Sequence, residues 1–395
     1  MSYASLSYQL VDLGEFFGTN ESYAYGINSG GNVVGSWNTG TNGFHGFLYN
    51  GTSIEDLGRL GELNNYALNI NARGDVVGFS QESNGTHAFL FRNGDRVALS
   101  AFDGMNSYGF GINGISDIVG AVETTGGTEA ILLHDGQMVK LGTLGGTNSY
   151  AYDINLVMQI AGASLTPTNT EMNAFLWQEG RLSNLNDLIE PGSQWSLREA
   201  RCINESGEIA GWGLLNGTER GFMFKSGDVI DLGILPGGTN SYALGINNSN
   251  EIVGASSTAS GLHGFLWEGG KIRDLNALAP LAPDWELVEA LGINDSGQIA
   301  GWGYFHGQGH AFLLNPLLSE EATKLTAVQK ETGDESKSRA QPLLDSPPTV
   351  SITSPTNNAA FSTPTNITIS VSATGNGGTI TQVQVFAGAK LLGTV

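Results

Sequence analysis

The dipeptide Ile-Asn occurs seven times along the chain, and this repeat constrains the fold more than any other feature. Its copies stand at Ile27-Asn28, Ile70-Asn71, Ile112-Asn113, Ile154-Asn155, Ile203-Asn204, Ile246-Asn247 and Ile293-Asn294. The steps between them are 43, 42, 42, 49, 43 and 47 residues. A period of about 40–45 residues is typical of a four-stranded propeller blade. The sequence therefore predicts an all-β fold, a seven-bladed β-propeller.

Each repeat holds four short segments rich in strand-forming residues. The first ends in Ile-Asn, the second is an aliphatic pair followed by Gly (Val33-Val34-Gly35), and the third resembles His87-Ala88-Phe89. We expect a neighbouring aromatic such as Phe47 to lie across the glycine of the second segment. Glycine recurs four residues after Ile, as at Gly31, where a tight hairpin needs a positive φ. We expect the asparagine of each Ile-Asn pair to bond the hairpin backbone, because Asn competes well for local backbone groups.

The two ends of the repeat region predict how the ring closes. The last repeat supplies three strands and stops at Pro316, whereas Tyr8–Gly14 reads as a strand with no blade of its own. A strand from the N-terminus that completed blade seven would remove exposed sheet edges. We therefore expect residues 8–316 to form the closed propeller.

The remaining chain differs in character. Residues 317–346 are charged and lack the repeat, so they are interpreted as a linker. Residues 347–395 resemble the first half of a bacterial immunoglobulin-like module, on the segments Pro347–Pro355 and Val383–Gly388. A complete sandwich of this kind needs about 100 residues. The sequence thus predicts an incomplete immunoglobulin-like domain.

Composition excludes several classes of function. The formal net charge of -21 and pI near 4.5 argue against nucleic acid and anionic membranes as partners. No apolar run is long enough to insert in a membrane, and residues 1–10 carry no recognisable signal peptide. Cys202 is the only cysteine, so a disulfide within one chain is excluded. We expect a monomer.

Several segments resemble the HAF-repeat family of bacterial extracellular proteins, named for His-Ala-Phe. The resemblance rests on residues 141–151 (LGTLGGTNSYA) and on His87-Ala88-Phe89 and His310-Ala311-Phe312. It implies secretion or surface exposure, hence an extracellular or cell-surface location, and it carries no established catalytic residues. Four histidines occupy this repeated position and are interpreted as structural: His45, His87, His263 and His310.

Departures from the repeat are better candidates for function, because binding residues concentrate on variable loops of a rigid scaffold. Two long connections, 185–202 and 275–293, carry Trp195 and Trp285, which are candidates to stack on substrate sugars or to cap the core. Blade five also gathers three arginines, Arg198, Arg201 and Arg220. They suit a bidentate clamp for an acidic glycan, or they neutralise Glu199 and Glu219.

Three functions remain open at this stage. The first is a binding or adhesion module for a polysaccharide or a cell-surface protein. The alternative is a polysaccharide-active enzyme, a lyase on uronate-containing glycans, in which the arginines neutralise the carboxylate and His306 or Tyr304 moves the proton. The third is a structural spacer. No hydrolase, metalloprotease, nucleotide-binding or EF-hand motif is present, so no cofactor or metal is predicted, and Ca²⁺ has no specific site.

Overall fold

The structure is a computed structural model. It describes residues 6–16, 18, 21–40, 43–58, 64–99, 106–168, 170–280 and 282–317, together with four strands between 349 and 394. The chain divides into two compact units, Met1–Thr326 and Ala327–Val395.

The first unit contains seven four-stranded antiparallel sheets, one for each sequence repeat. Blade 1 consists of β2 (Ser22–Ile27), β3 (Val33–Asn38), β4 (Phe44–Tyr49) and β5 (Ile54–Gly58). Blade 2 consists of β6 (Asn64–Ile70), β7 (Val76–Glu82), β8 (Gly85–Arg92) and β9 (Asp95–Ala98). Blade 3 consists of β10 (Ser107–Ile112), β11 (Ile118–Thr124), β12 (Gly127–His134) and β13 (Gln137–Gly142). Blades 4 to 6 are β14 (Ser149–Ile154), β15 (Ile160–Leu165), β16 (Met172–Gln178) and β17 (Arg181–Asn184); β18 (Trp195–Ile203), β19 (Ile209–Leu215), β20 (Thr218–Lys225) and β21 (Asp228–Asp231); β22 (Ser241–Ile246), β23 (Ile252–Ser257), β24 (Leu262–Glu268) and β25 (Lys271–Asp274). Blade 7 is β26 (Trp285–Ile293), β27 (Ile299–Phe305), β28 (Gln308–Pro316) and β1 (Tyr8–Asp12), and the short helical turns are Gly14–Phe16, Leu185–Asp187 and α1 (Leu275–Leu278).

The N-terminal strand closes the ring as predicted. Strand β1 pairs antiparallel with β28, with Tyr8 opposite Pro316 and Asp12 opposite Phe312. Tyr8 is 2% exposed and Leu13 is fully buried, so the closure buries apolar side chains as well as a sheet edge. The seven-bladed propeller closed by an N-terminal strand is confirmed.

The first strand of every blade lies innermost. Strand β2, for example, contacts both β6 and β26, the first strands of the two neighbouring blades. The glycine that closes each second strand permits this packing. At Gly35 a Cβ atom would lie 1.9 Å from the carbonyl oxygen of Tyr23 and 2.6 Å from the ring of Phe47, so any larger side chain is excluded. This is the glycine–phenylalanine pairing that the sequence predicted.

The asparagine of each Ile-Asn pair does more than bond its own hairpin. Its Oδ1 accepts from backbone N–H groups in the turn, as Asn28 does from Gly30 and Asn32. Its Nδ2 donates to the backbone oxygen of the matching asparagine in the next blade, over 3.0–3.2 Å at all seven seams. The last bond, Asn294 to Asn28, completes a circle. We call this set of seven residues the asparagine ring.

The hairpin turn keeps its shape even where its sequence changes. The third turn residue has a positive φ in every blade, including Met158 at 58°. Beside Met158, Leu156 is 48% exposed and Val157 is 68% exposed, and Ile115 of the neighbouring turn is 50% exposed. The turn of repeat four is therefore regular in conformation but apolar at its tip.

Three of the four repeated histidines pair with an aspartate of the outermost strand. His45 Nδ1 lies 3.0 Å from Asp56, and His263 Nδ1 lies 2.8 Å from Asp274. His310 makes the same contact, at 3.0 Å, with Asp12 of the closing strand β1. These contacts join the third and fourth strands of a blade, which is a structural role.

The second unit is described only as strand backbone. Strands β29 (Thr349–Ser354) and β30 (Ser370–Thr374) form one antiparallel pair, and β31 (Gln384–Ala387) and β32 (Lys390–Thr394) form another. Of the predicted charged linker, 317–346, all but Leu317 lies outside the described residues.

Candidate functional site

Blades 5 and 7 begin with the same local structure, which accounts for the two long repeat steps. The helical turns Leu185–Asp187 and Leu275–Leu278 precede their first strands. The Asn186 side chain donates to the backbone oxygen of Leu197 at 2.9 Å and accepts from its N–H at 2.7 Å. Asn276 makes the same pair of bonds in blade 7. Each insertion is thereby tied to the strand that follows it.

The two predicted substrate-binding tryptophans start these strands. The Trp195 ring lies edge-on to Phe222 at 6.1 Å, and the Trp285 ring lies edge-on to Phe312 at 6.3 Å. Phe222 and Phe312 are fully buried, so both tryptophans cover the core of their blades. Trp285 also lines one of the pockets described below.

A pocket of about 710 Å³ lies between blades 7 and 1, and we call it the rim pocket. Its side chains are those of Glu21, Tyr23, Asn38, Trp302, Tyr304 and Gln308. The Tyr23 and Trp302 rings meet edge-on at 5.3 Å, and the Trp302 and Tyr304 rings do so at 5.6 Å. Tyr304 is 42% exposed. Three aromatic rings thus stand in contact at an open site.

Hydrogen bonds fix the polar groups of the rim pocket. Glu21 accepts from the Tyr23 hydroxyl at 2.8 Å and from Asn38 Nδ2 at 3.0 Å. Burial and then the Glu21 hydrogen bond raise the pKa of the Tyr23 phenol, which therefore stays protonated as a donor. Trp302 Nε1 donates to Glu289 at 2.9 Å. The described lining residues hold one carboxylate and neither Lys nor Arg.

The two predicted proton-transfer candidates lie together beside the rim pocket. Tyr304 and His306 line a second pocket, of about 550 Å³, with Asp284, Trp285 and Glu286. We call it the side pocket. The His306 backbone has a φ of 50°, and its ring lies 4.3 Å from that of Phe305. Tyr304 therefore belongs to both pockets, whereas His306 belongs to the side pocket.

The three arginines of blade 5 each lie against a carboxylate. Arg198, which is 8% exposed, contacts Glu171. Arg201 lies 3.4 Å from Glu199, and Arg220 lies 3.1 Å from Asp231. Of the two partners that the sequence suggested, Glu199 is used. Glu219 instead accepts from the hydroxyl of Tyr242.

The lyase interpretation requires these arginines to share a site with His306 or Tyr304. The rim pocket and the side pocket are lined by none of the three arginines. Arg201 lines a separate cavity along the propeller axis. The structure thus places the predicted cations and the predicted proton-transfer residues at different sites.

That axial cavity, which we call the central channel, contains residues that the sequence did not single out. It measures about 370 Å³ and is lined by the first strands of all seven blades. At the seam of blades 4 and 5 it presents Tyr152, Asp153 and Arg201. The arginine guanidinium lies 4.4 Å above the Tyr152 ring. Burial raises the pKa of the Asp153 carboxyl to about 7.

An alignment of the seven first strands, position by position, shows that Asp153 departs from the repeat. Where blade 4 has Asp153, four other blades have glycine: Gly26, Gly111, Gly245 and Gly292. Blade 2 has Asn69, whose oxygen accepts from the N–H of Ile70 at 2.8 Å. The Asp153 carboxylate accepts from Ile154 at 2.9 Å and from Ile203 of the next blade at 3.0 Å. The Asp153 side chain therefore bridges two blades at a position that is glycine in four of the other blades.

Within the described part of the chain, no group of three or more His, Cys, Asp or Glu side chains is placed to hold a metal ion. Likewise, none of its helices has the length and apolar character needed to cross a bilayer.

Comparison with known protein families finds one match, in the second unit. The bacterial Ig domain family matches residues 348–395, which agrees with the immunoglobulin-like resemblance of the C-terminal segment. A search of curated proteins finds no match.

Solved structures with a general likeness to the chain come from several proteins. TolB from Acinetobacter baumannii is 12% identical, with 75% of this chain and 64% of that chain covered and a TM-score of 0.43. The β-propeller domain of the Trilobed protease from Pyrococcus furiosus is 14% identical over 63% and 79%, with a TM-score of 0.45. An acylaminoacyl peptidase from Pyrococcus horikoshii is 11% identical over 87% and 57%, with a TM-score of 0.49. The chain spans less than two thirds of the TolB and peptidase chains, and these values assign it no activity. The chain is a seven-bladed β-propeller followed by a segment that matches the bacterial Ig domain family.

Proposed function

We propose that this protein is a secreted or surface-exposed bacterial binding module and that its rim pocket binds a glycan. The observation that carries the proposal is the set of three touching aromatic rings, Tyr23, Trp302 and Tyr304, in one open pocket. The HAF-repeat resemblance and the bacterial Ig match support an extracellular location.

The chemistry of the rim pocket suits a sugar. One face of a pyranose ring presents C–H groups, which pack on aromatic rings through dispersion and weak C–H contacts. The hydroxyls at its edge need donors and acceptors, and Glu21, Asn38 and Gln308 supply both kinds. Aromatic rings beside a few oriented polar groups are a usual lining of a small-ligand site.

Charge favours a neutral glycan over an acidic one. The rim pocket and the side pocket contain Glu21, Asp284 and Glu286 among their described lining residues, and neither contains Lys or Arg. An acidic sugar at this rim would face like charges without a partner cation. We therefore expect neutral polysaccharides to bind and uronate-containing ones to bind less well.

A glycan array with the full chain tests the proposal. The Trp302→Ala variant is expected to lose at least about tenfold in affinity for a captured glycan, which corresponds to about 1.4 kcal/mol. Trp212→Ala is a matched control, because Trp212 holds the same slot in blade 5 and meets Tyr242 edge-on at 5.6 Å. Tyr304→Ala, at an exposed side chain, provides a second test with little risk to folding.

Two outcomes would contradict the proposal. One is an array without any bound glycan, which leaves a protein partner or a spacer. The other is unchanged affinity in both Trp302→Ala and Tyr304→Ala. The lyase stays a prediction, and absorbance near 235 nm after mixing with uronate polysaccharides would detect its unsaturated product.

A further inference from the structure

One position of the innermost strands faces the central channel in every blade. Six blades fill it with an apolar or aromatic residue: Tyr25, Leu68, Phe110, Tyr152, Leu244 and Leu291. Blade 5 fills it with Arg201. It is the one cation among the described residues that line the channel. The departure from the pattern therefore places a single positive charge on the axis of the propeller.

The arginine is held in a defined orientation. Its guanidinium carbon lies over the Tyr152 ring, 4.4 Å from the ring centroid, and its side chain is 37% exposed. Its ion pair with Glu199 is long, at 3.4 Å, and a guanidinium has five N–H donors in a fixed fork. The remaining donors of Arg201 thus lie at a cavity lined by leucine, isoleucine and aromatic side chains, together with Asn69 and Asp153.

Neutralisation of Glu199 does not account for the arginine. Blade 7 carries Glu289 in the slot of Glu199, and there Trp302 Nε1 satisfies the carboxylate at 2.9 Å. The channel position of that blade is Leu291. Blade 5 has Trp212 in the slot of Trp302, so a tryptophan that could donate to Glu199 in the same way is present there. An acid at this slot therefore does not require an arginine in the channel.

We propose that the central channel binds a small organic acid whose carboxylate pairs with Arg201 and whose apolar body lies against Tyr152 and the channel leucines. The fork of a guanidinium matches the two oxygens of a carboxylate, and the contact with the Tyr152 ring holds the guanidinium in place. The cavity of about 370 Å³ lies in the range of small-ligand sites, about 300–1,000 Å³, and suits an acid of phenylacetate size. This site is separate from the rim pocket and does not depend on the glycan proposal.

Neighbouring blades supply the variants for a test. Arg201→Leu introduces the residue that blades 2, 6 and 7 already have in this slot, so the fold should accept it. Arg198→Ser is the matched control, because it removes the same charge from the same strand at a residue that does not line the central channel. Arg201→Lys keeps the charge and loses the planar fork.

Ligand-observed NMR with phenylacetate and hexanoate, and with benzyl alcohol as the uncharged comparison, measures the binding. We expect both acids to bind wild type more tightly than the alcohol. Affinity for the acids should fall at least about tenfold in Arg201→Leu, fall less in Arg201→Lys, and stay within about twofold in Arg198→Ser. Absence of acid binding to wild type, equal binding by Arg201→Leu, or an equal loss in Arg198→Ser would each overturn the channel site. Glycan binding should survive in Arg201→Leu, so the channel and rim proposals can fail separately.

Discussion

Blade 5 and blade 7 share the same local structure around their first two strands, which we call the frame. Both follow a short helical turn, both have a first strand of nine residues, and both carry tryptophan in the second strand, at Trp212 and Trp302. They differ in what the frame presents. Blade 5 places Arg201 in the central channel, whereas blade 7 places Leu291 there and Tyr304 at the rim.

The difference shows how one repeat can serve two chemistries. The bonds that hold the frame are made by residues that both blades share, such as Asn186 and Asn276. Residues outside those bonds are free to vary, and they put charge on the axis in one blade and aromatic rings at the edge in the other. Blade 7 differs further because its fourth strand comes from the opposite end of the chain.

Removal of residues 1–14 should have the largest effect. It takes the fourth strand from blade 7, whereas the fourth strand of blade 5 follows its third strand directly. Loss of the buried Tyr8 and Leu13 alone is expected to lower the free energy of unfolding by more than about 4 kcal/mol. Calorimetry would show a melting temperature far below that of a variant without residues 1–5. Equal melting temperatures would mean that β1 does not close the ring.

Asparagine-ring variants should come next. Asn204→Ala in blade 5 and Asn294→Ala in blade 7 each remove a donor to the next blade and leave buried turn N–H groups unpaired. Each should cost about 2–4 kcal/mol in urea unfolding. The exposed Asn248→Ala is the control and should cost under about 1 kcal/mol. A much larger cost at Asn294 would show that the seam joining the chain ends is held differently from the others.

The seam before blade 5 should respond to pH. Because the pKa of Asp153 is raised from 3.8 to about 7, the folded protein holds more protons than the unfolded chain between those values. The stabilising contribution of Asp153 to the free energy of unfolding is therefore present at low pH and is lost as pH rises from about 4 to about 7.

Asp153→Asn should remove this dependence. Blade 2 already has Asn69 in the slot, so the amide fits, and the variant should be more stable than wild type by about 1–2 kcal/mol at pH 8. Urea unfolding at pH 5, 6.5 and 8 gives the slope. Parallel slopes for wild type and variant would contradict the raised pKa. Blade 7 offers the contrast, because it has Gly292 in the slot of Asp153 and therefore no titratable side chain there.

Arg220→His should have the smallest effect. It gives blade 5 the histidine that blade 7 has at His310, and each residue faces an aspartate of the outer strand, Asp231 or Asp12. Partly exposed pairs of this kind contribute little, so the free energy of unfolding should change by under about 0.5 kcal/mol. A change above about 1 kcal/mol in thermal unfolding would show that the two blades use this position differently.

The sequence predicted the elements that depend on local spacing. The repeat period, the Gly35–Phe47 pairing and the closing strand Tyr8–Asp12 all follow from patterns within one blade or from a missing strand. Contacts between blades could not be predicted from the sequence, because a repeat step of 42–49 residues does not show which atoms of neighbouring blades meet. The Nδ2 bonds of the asparagine ring and the bond from Ile203 to Asp153 belong to this class.

The candidate sites divide in the same way. Tyr304 is one of the two proton-transfer candidates that the sequence predicts, and it does line a pocket. Tyr23 recurs in its slot as tyrosine in four other blades, so the repeat gives no reason to select it, yet its ring meets that of Trp302 in the neighbouring blade 7. Asp153 was missed because a departure of one residue is visible only when all seven first strands are aligned slot by slot.

The asparagine ring also has a direction. Each asparagine side chain donates forward to the backbone oxygen of the next asparagine, and its own backbone oxygen accepts from the side chain behind. The cycle therefore runs head to tail without a first or last member. A newly duplicated blade would bring one donor and one acceptor and could enter at any seam without leaving either unmatched. The ring therefore lets blade number and chain ends change during evolution while every joint keeps the same bond.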